Sequence, residues 1–188
     1  MNRKSKLTIG IAAVWFAILS GFVISAQDSN ESKYGVKVPG GLAFAEFKGY
    51  EAWQSISVSR NEKVVAVILG NPAMIDAYRA GIPANGKPVP DGAKMAKVHW
   101  IPKPNEFFPD ATVPGNLLNV DFMVKDSKRF ADSGGWGYAV FDYNAGSDTF
   151  TPGTKAGMPP QGNDAKCGFA CHTKAKARDY VFTEYGKR

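Results

Sequence analysis

The chain has 188 residues, of which 44% are hydrophobic and 12% aromatic, enough for one ordinary core and a single domain. Its formal charge is +6, but the first 26 residues hold three basic and no acidic side chains, so the remainder carries only +3. No dense Lys/Arg stripe with interleaved aromatics is present, which speaks against nucleic-acid binding. The basic tail (Lys174, Lys176, Arg178, Lys187, Arg188) reads as a solvated helix face or a patch for an acidic redox partner.

The start of the chain reads as a targeting segment. Arg3, Lys4 and Lys6 precede an uncharged apolar run from Leu7 to Ile24, and Ser25-Ala26-Gln27 offers a small-residue exit. Residues 1–26 therefore read as a secretory signal peptide cut after Ala26. The competing reading is an uncleaved N-terminal anchor, because the run reaches the lower limit of a membrane span. Both readings export the folded part to the periplasm, and only the second keeps it on a membrane.

Residues 27–41 read as a flexible lead-in, and residues 42–188 as the domain. Phe44, Phe47, Tyr50 and Trp53 recur every third residue and suggest a short aromatic-faced helix. Lys63 to Leu69 has the β-branched density of a buried strand. Pro72 opens a helix running through Tyr78, which Gly81 ends. A Gly- and Pro-rich loop (81–92) leads to an alternating strand from Lys94 to Ile101, stopped by Pro102 and Pro104. Asn105 to Asn116 looks irregular and runs into the apolar stretch Leu117 to Val124. Lys125 to Phe130 looks like a turn or short helix closed by Gly134-Gly135. Trp136 to Tyr143 reads as a strand with a hairpin return over Asp148 to Thr151, and a loop from Pro152 to Asp164 precedes the C-terminal segment. The sum is α+β: a small antiparallel sheet with packed helices.

Both cysteines of the chain fall in Cys167-Gly168-Phe169-Ala170-Cys171-His172. Covalent c-type haem attachment needs two thiols for the two vinyl groups, followed directly by an iron-ligating histidine. Here three residues separate the cysteines where two are usual, but the Cys171-His172 adjacency is kept and Gly168 and Ala170 are small enough for a bulged loop. The reading is one haem c anchored by Cys167 and Cys171 near the C-terminus, with His172 as the axial iron ligand. A Cys167–Cys171 disulfide, a thioredoxin-like motif, and a zinc site drawing on His99 are the weaker alternatives. For a sixth ligand the chain offers Met74, Met95, Met123, Met158 and His99, none in a ligand motif, so a five-coordinate iron with an open face is expected.

The stretch VKDSKRFADSGGWGYAVF (124–141), the late cysteine–histidine motif and KARDYVFTEY (176–185) together resemble the cytochrome P-460 family. The resemblance runs from about Gly41 to the end. It implies a mainly antiparallel sheet, a c-type haem, a homodimer and a periplasmic setting, and it brings in the related beta-type cytochromes c-prime, which bind small gases. Catalytic members oxidise hydroxylamine to nitrous or nitric oxide and carry a bond between a lysine and the haem ring, the lysine lying on a strand after an Asp-Gly turn. Asp91-Gly92 makes Lys97 the best positional match. Alternation puts Lys97 on one strand face with Met95, His99 and Ile101, and Lys94 on the other with Ala96, Val98 and Trp100. The pattern does not say which face meets the haem.

His99 is a candidate distal proton donor, or an ordinary structural histidine. Asp121, Lys125, Asp126, Lys128 and Arg129 read as caps and surface pairs. The expected activity is oxidation of hydroxylamine or a similar small nitrogen compound, with electrons leaving to a soluble cytochrome. The alternatives are a non-enzymatic nitric oxide or carbon monoxide binder and a simple electron-transfer cytochrome.

Overall fold

The computed structural model describes residues 33–155, 162 and 168–188. Six strands form one sheet in chain order: β1 (Gln54–Arg60), β2 (Val65–Gly70), β3 (Lys94–Pro104), β4 (Thr112–Lys125), β5 (Trp136–Asn144) and β6 (Thr149–Pro152). Every neighbouring pair is antiparallel. Helix α1 (Pro72–Arg79) and the short α2 (Phe169–His172) are added to it, so the fold is α+β, as the sequence indicated.

The alternation along β3 and β4 separates two packed faces. Ala96, Val98, Val120, Phe122 and Phe141 point to one, where Phe44, Phe47 and Tyr50 cover them. Phe122 stacks on Phe47 at 4.1 Å and meets Phe44 and Tyr50 edge-on at 5.3 and 5.2 Å. Burying each such ring stabilises by about 1.5–3 kcal/mol. The aromatic segment is not the single helix expected. It forms two 3₁₀ turns, Phe44–Phe47 and Tyr50–Ala52, divided by Gly49 at φ +82°. A spacing of three suits this geometry, because three residues complete one 3₁₀ turn and put Phe44, Phe47 and Tyr50 on one side.

Met95, Met123 and Tyr138 point to the second face, which packs with Met74 and Ile75 of α1, Trp136, and Val181 of the C-terminal segment. Helix α1 starts where expected: Pro72 takes its first turn and the Asn71 side chain accepts from the Met74 amide at 3.0 Å. Tyr78 on α1 donates to the Thr183 carbonyl at 3.0 Å and so ties down the tail.

Three expectations about boundaries change. Strand β1 was missed. Strand β3 runs through Pro102 and Pro104, and β4 begins at Thr112 inside the stretch read as irregular. The prolines are tolerated because β2 pairs with β3 only between Met95 and Trp100. Beyond that point the β3–β4 hairpin stands alone, with Pro102 opposite Pro114 and no second neighbour requiring their amides. In the stretch read as a lead-in, Val38 is buried and Tyr34 and Val36 pack on the first core. Residues 1–32, most of the loop read from Pro152 to Asp164, Met158 and Cys167 lie outside the described residues.

Candidate functional site

Antiparallel register builds the floor of the site. Ser57, Ile68, Lys97 and Asp121 are consecutive cross-strand partners on β1 to β4, so one row of the second face carries all four. The next row carries Met95 opposite Met123. Above these rows lies a cavity of about 400 Å³, walled on its far side by His172, Val181 and Phe182. That volume falls within the range of small-molecule and cofactor pockets.

His172 closes α2 and is 6% exposed. Its Nδ1 lies 2.7 Å from the Tyr180 carbonyl, so Nδ1 carries the proton and donates it there, and Nε2 keeps a lone pair. The ring packs between Tyr138 (5.1 Å) and Phe182 (5.0 Å). Burial, and to a lesser degree the Lys97 charge, lowers the imidazole pKa, while the bond to Tyr180 opposes the shift. A buried, neutral histidine with one nitrogen fixed by a backbone carbonyl is the form that ligates metal.

Tyr180 is itself held in an unusual conformation. Asp179 and Tyr180 both take left-handed backbone angles, φ +48° and +64°. Two consecutive non-glycine residues there cost about 1–3 kcal/mol each and need surrounding structure to hold them.

Lys94 and Lys97 separate cleanly. The Lys94 ammonium donates to the Glu46 carbonyl at 2.5 Å, over the Phe47 ring on the first face. Lys97, half-buried, lines the cavity with His172. Of the two lysines, only Lys97 shares a face with the histidine.

His99 is one row further along the same face. It lines an adjoining hollow of about 520 Å³ that shares Lys97 and Asp121 with the first, and it does not line the cavity holding His172. Burial, with Lys97's charge added, pushes its pKa down to about 4, against the opposing effect of the Asn119 side chain. Its Nδ1 lies 3.6 Å from Asp121 Oδ2, too long for a hydrogen bond, and has no hydrogen-bond partner among the described residues. Because His99 is neutral near pH 7, this contact is not an ion pair.

Two residues read as caps or surface pairs belong elsewhere. Asp121 is 7% exposed on the cavity floor and accepts from Asn119 Nδ2 at 2.7 Å. The alternation was the available signal, since Asp121 falls in phase with Met123 and out of phase with Val120 and Phe122. Lys125 is 5% exposed and pairs with Asp179 at 2.8 Å. Asp126 does cap, accepting from the Lys128 and Arg129 amides at 3.2 and 2.9 Å, and Arg129 pairs with Glu46 at 2.7 Å. Met95 and Met123, set aside for want of a ligand motif, both reach the cavity.

The residues present fit a haem. A neutral, oriented imidazole stands on the cavity wall, and the side chains of Ile68, Met95, Met123 and Val181 give the cavity apolar surface. Cys171, adjacent in sequence to His172, is exposed; Cys167 lies outside the described residues. No match is found among curated proteins. The family model for cytochrome P460 matches residues 47–183, from the aromatic segment into the C-terminal strap (residues 168–188), which carries His172. The chain therefore belongs to the cytochrome P460 family, a family of haem proteins.

Proposed function

We propose that this chain is an exported c-type haem protein that oxidises hydroxylamine or a similar small nitrogen compound. Cys167 and Cys171 would anchor the single haem, and His172 would ligate its iron. The observation supporting this reading is that Lys97 and His172 line one cavity while Lys94 is held on the opposite face. When bound, the haem supplies a redox-active iron with an exchangeable position.

The chain's own residues do the rest. The Tyr180 carbonyl orients His172. Lys97 is the residue proposed for the further bond to the haem. Asp121 and the neutral His99 flank Lys97 and are the groups able to accept or relay protons from a substrate amine. Ile68, Met123 and Val181 present apolar surface that limits water in the cavity. Export rests on the basic start and apolar run of residues 1–26. A homodimer is proposed through the β3–β4 hairpin arm, which exposes Ile101, Phe107 and Phe108. A soluble cytochrome would take the electrons.

Two other readings each have an observation in their favour. The apolar cavity wall suits a binder of nitric oxide or carbon monoxide. Met95 and Met123 on the cavity floor suit an electron-transfer cytochrome with a thioether as sixth ligand.

Expression beside a haem-attachment system, followed by intact mass, a ferrous spectrum and a hydroxylamine assay, separates these readings. A mass gain of one haem, a red-shifted ferrous Soret band and turnover are expected. One haem, carbon monoxide binding and no turnover would indicate the gas binder. A low-spin ferrous spectrum unchanged by carbon monoxide would indicate electron transfer. No haem gain would overturn the c-type reading.

A further inference from the structure

A buried polar knot lies behind the histidine, and no step of the proposed chemistry uses it. Its centre is Asp179, whose two carboxylate oxygens receive the Lys125 ammonium at 2.8 and 2.9 Å. Oδ2 also accepts from the Val89 amide at 2.7 Å, and the Asp179 carbonyl accepts from the Trp136 indole at 2.8 Å. Lys125 donates further to the Gly134 carbonyl at 2.9 Å and lies over the Trp136 ring at 5.2 Å. The loop before β3, the end of β4 and the start of β5 thus all converge on Asp179, and the turn between β4 and β5 joins them through Lys125. Asp179 immediately precedes Tyr180, the acceptor of the His172 Nδ1 proton.

We infer that Lys125 and Asp179 are positioning residues for His172, holding the left-handed Asp179-Tyr180 pair so that the Tyr180 carbonyl meets the imidazole. The backbone explains why a latch is needed. Neither residue is a glycine, so the left-handed pair relaxes unless side-chain bonds on both sides of Asp179 hold it. The carboxylate supplies one set of bonds, and the carbonyl, through Trp136, supplies the other. Gly134 makes the same point from outside: a side chain there would run into the Tyr180 ring, so the turn is shaped to admit the strap. Tyr180 also closes backward through its amide to Ala175 at 2.9 Å, which fixes the distance from the latch to α2. A firm bond from Nδ1 to a carbonyl makes the imidazole a stronger electron donor, so the latch bears on the iron's potential and not only on stability.

This rests on the reading of His172 as the iron ligand. The test uses the holoprotein, natural and variant, with two readouts: the iron–histidine stretch of the ferrous form by resonance Raman, and the reduction potential. Asp179→Asn is expected to lower the stretching frequency and shift the potential to more positive values, while Lys125→Arg, which keeps the cation, stays near the natural protein in both. An unmoved stretch and potential in Asp179→Asn would overturn the inference. Should that variant fail to fold, Trp136→Phe, which removes the indole donor to the Asp179 carbonyl together with part of a buried ring, is judged by the same two readouts and the same criterion. A natural holoprotein that is five-coordinate and high-spin when ferrous yet shows no iron–histidine stretch would overturn the ligand assignment itself; a natural stretch that no variant moves would overturn the latch alone.

Discussion

Lys97 on β3 and Asp121 on β4 are direct partners in the antiparallel ladder, so an amine and a buried carboxylate share the sheet face that His172 closes. The neighbouring lysine, three positions earlier, serves the opposite core. The chemistry of the two lysines is therefore set by strand parity, and it separates by mutation.

Lys97→Ala is expected to reduce hydroxylamine turnover to background while one haem stays attached, as read by steady-state assay and intact mass. Lys94→Ala is expected to keep turnover and to lose about 1–2 kcal/mol of stability, the charged hydrogen bond to Glu46 being its main contribution. Turnover retained in Lys97→Ala would refute the role given to that side chain.

His99 makes stability depend on acid. Its pKa falls from 6.5 to about 4 in the fold, so below pH 6.5 the unfolded chain binds a proton that the folded chain resists. Its contribution is complete above about 6.5 and is lost as the pH falls towards 4. Urea unfolding at pH 7, 5.5 and 4 should show His99→Gln losing less stability over this window than the natural protein does. Parallel curves for the two proteins would contradict the assignment.

Two ion pairs that look alike in sequence should differ in strength. Lys125–Asp179 is buried, and Lys125→Ala leaves a desolvated carboxylate, at an expected cost of about 3–5 kcal/mol. Arg129–Glu46 is about one-third exposed on both side chains, and Arg129→Ala should cost no more than about 1 kcal/mol. Denaturant midpoints at equal m-value measure both.

Gly134→Ala should destabilise by about 2–4 kcal/mol, because φ is +68° and the new methyl would meet the Tyr180 ring. Gly49→Ala makes the comparison: its φ is also positive, but nothing lies within 4 Å, so only the backbone cost of about 1 kcal/mol is expected. Equal losses in thermal unfolding would show that contact with the strap contributes nothing.

Much of this was legible wherever one period or one short motif decides. The β2, β3 and β5 segments carry strong β-branched or alternating patterns, and the Asn71-Pro72 start of α1 is a local signal. Strand β1 was not legible. Its sequence, QSISVSR, lies on a sheet edge, and Ser57 and Ser59 face the cavity rather than a packed core, so the apolar signal is thin. The pairing of Lys97 with His172 depends on how the C-terminal strap folds over the sheet, which no local pattern encodes. Lys125 was misread because Asp126-Ser127-Lys128 beside it forms a genuine cap, while the partner that buries Lys125 lies 54 positions away. Asp121 differs: its strand parity, in phase with Met123, is readable, but the charge run from Lys125 to Arg129 that follows is the stronger local signal.

Among the described residues, all six strands precede Cys171 and His172, and β6 ends at Pro152. The strap then docks onto residues already placed by the sheet and α1: Tyr78, Trp136 and Lys125. The scaffold thus comes first along the polypeptide and the segment bearing the proposed haem ligands comes last. Under the proposed covalent attachment, that segment would be open to an attachment enzyme before it docks, and docking would then cover the product.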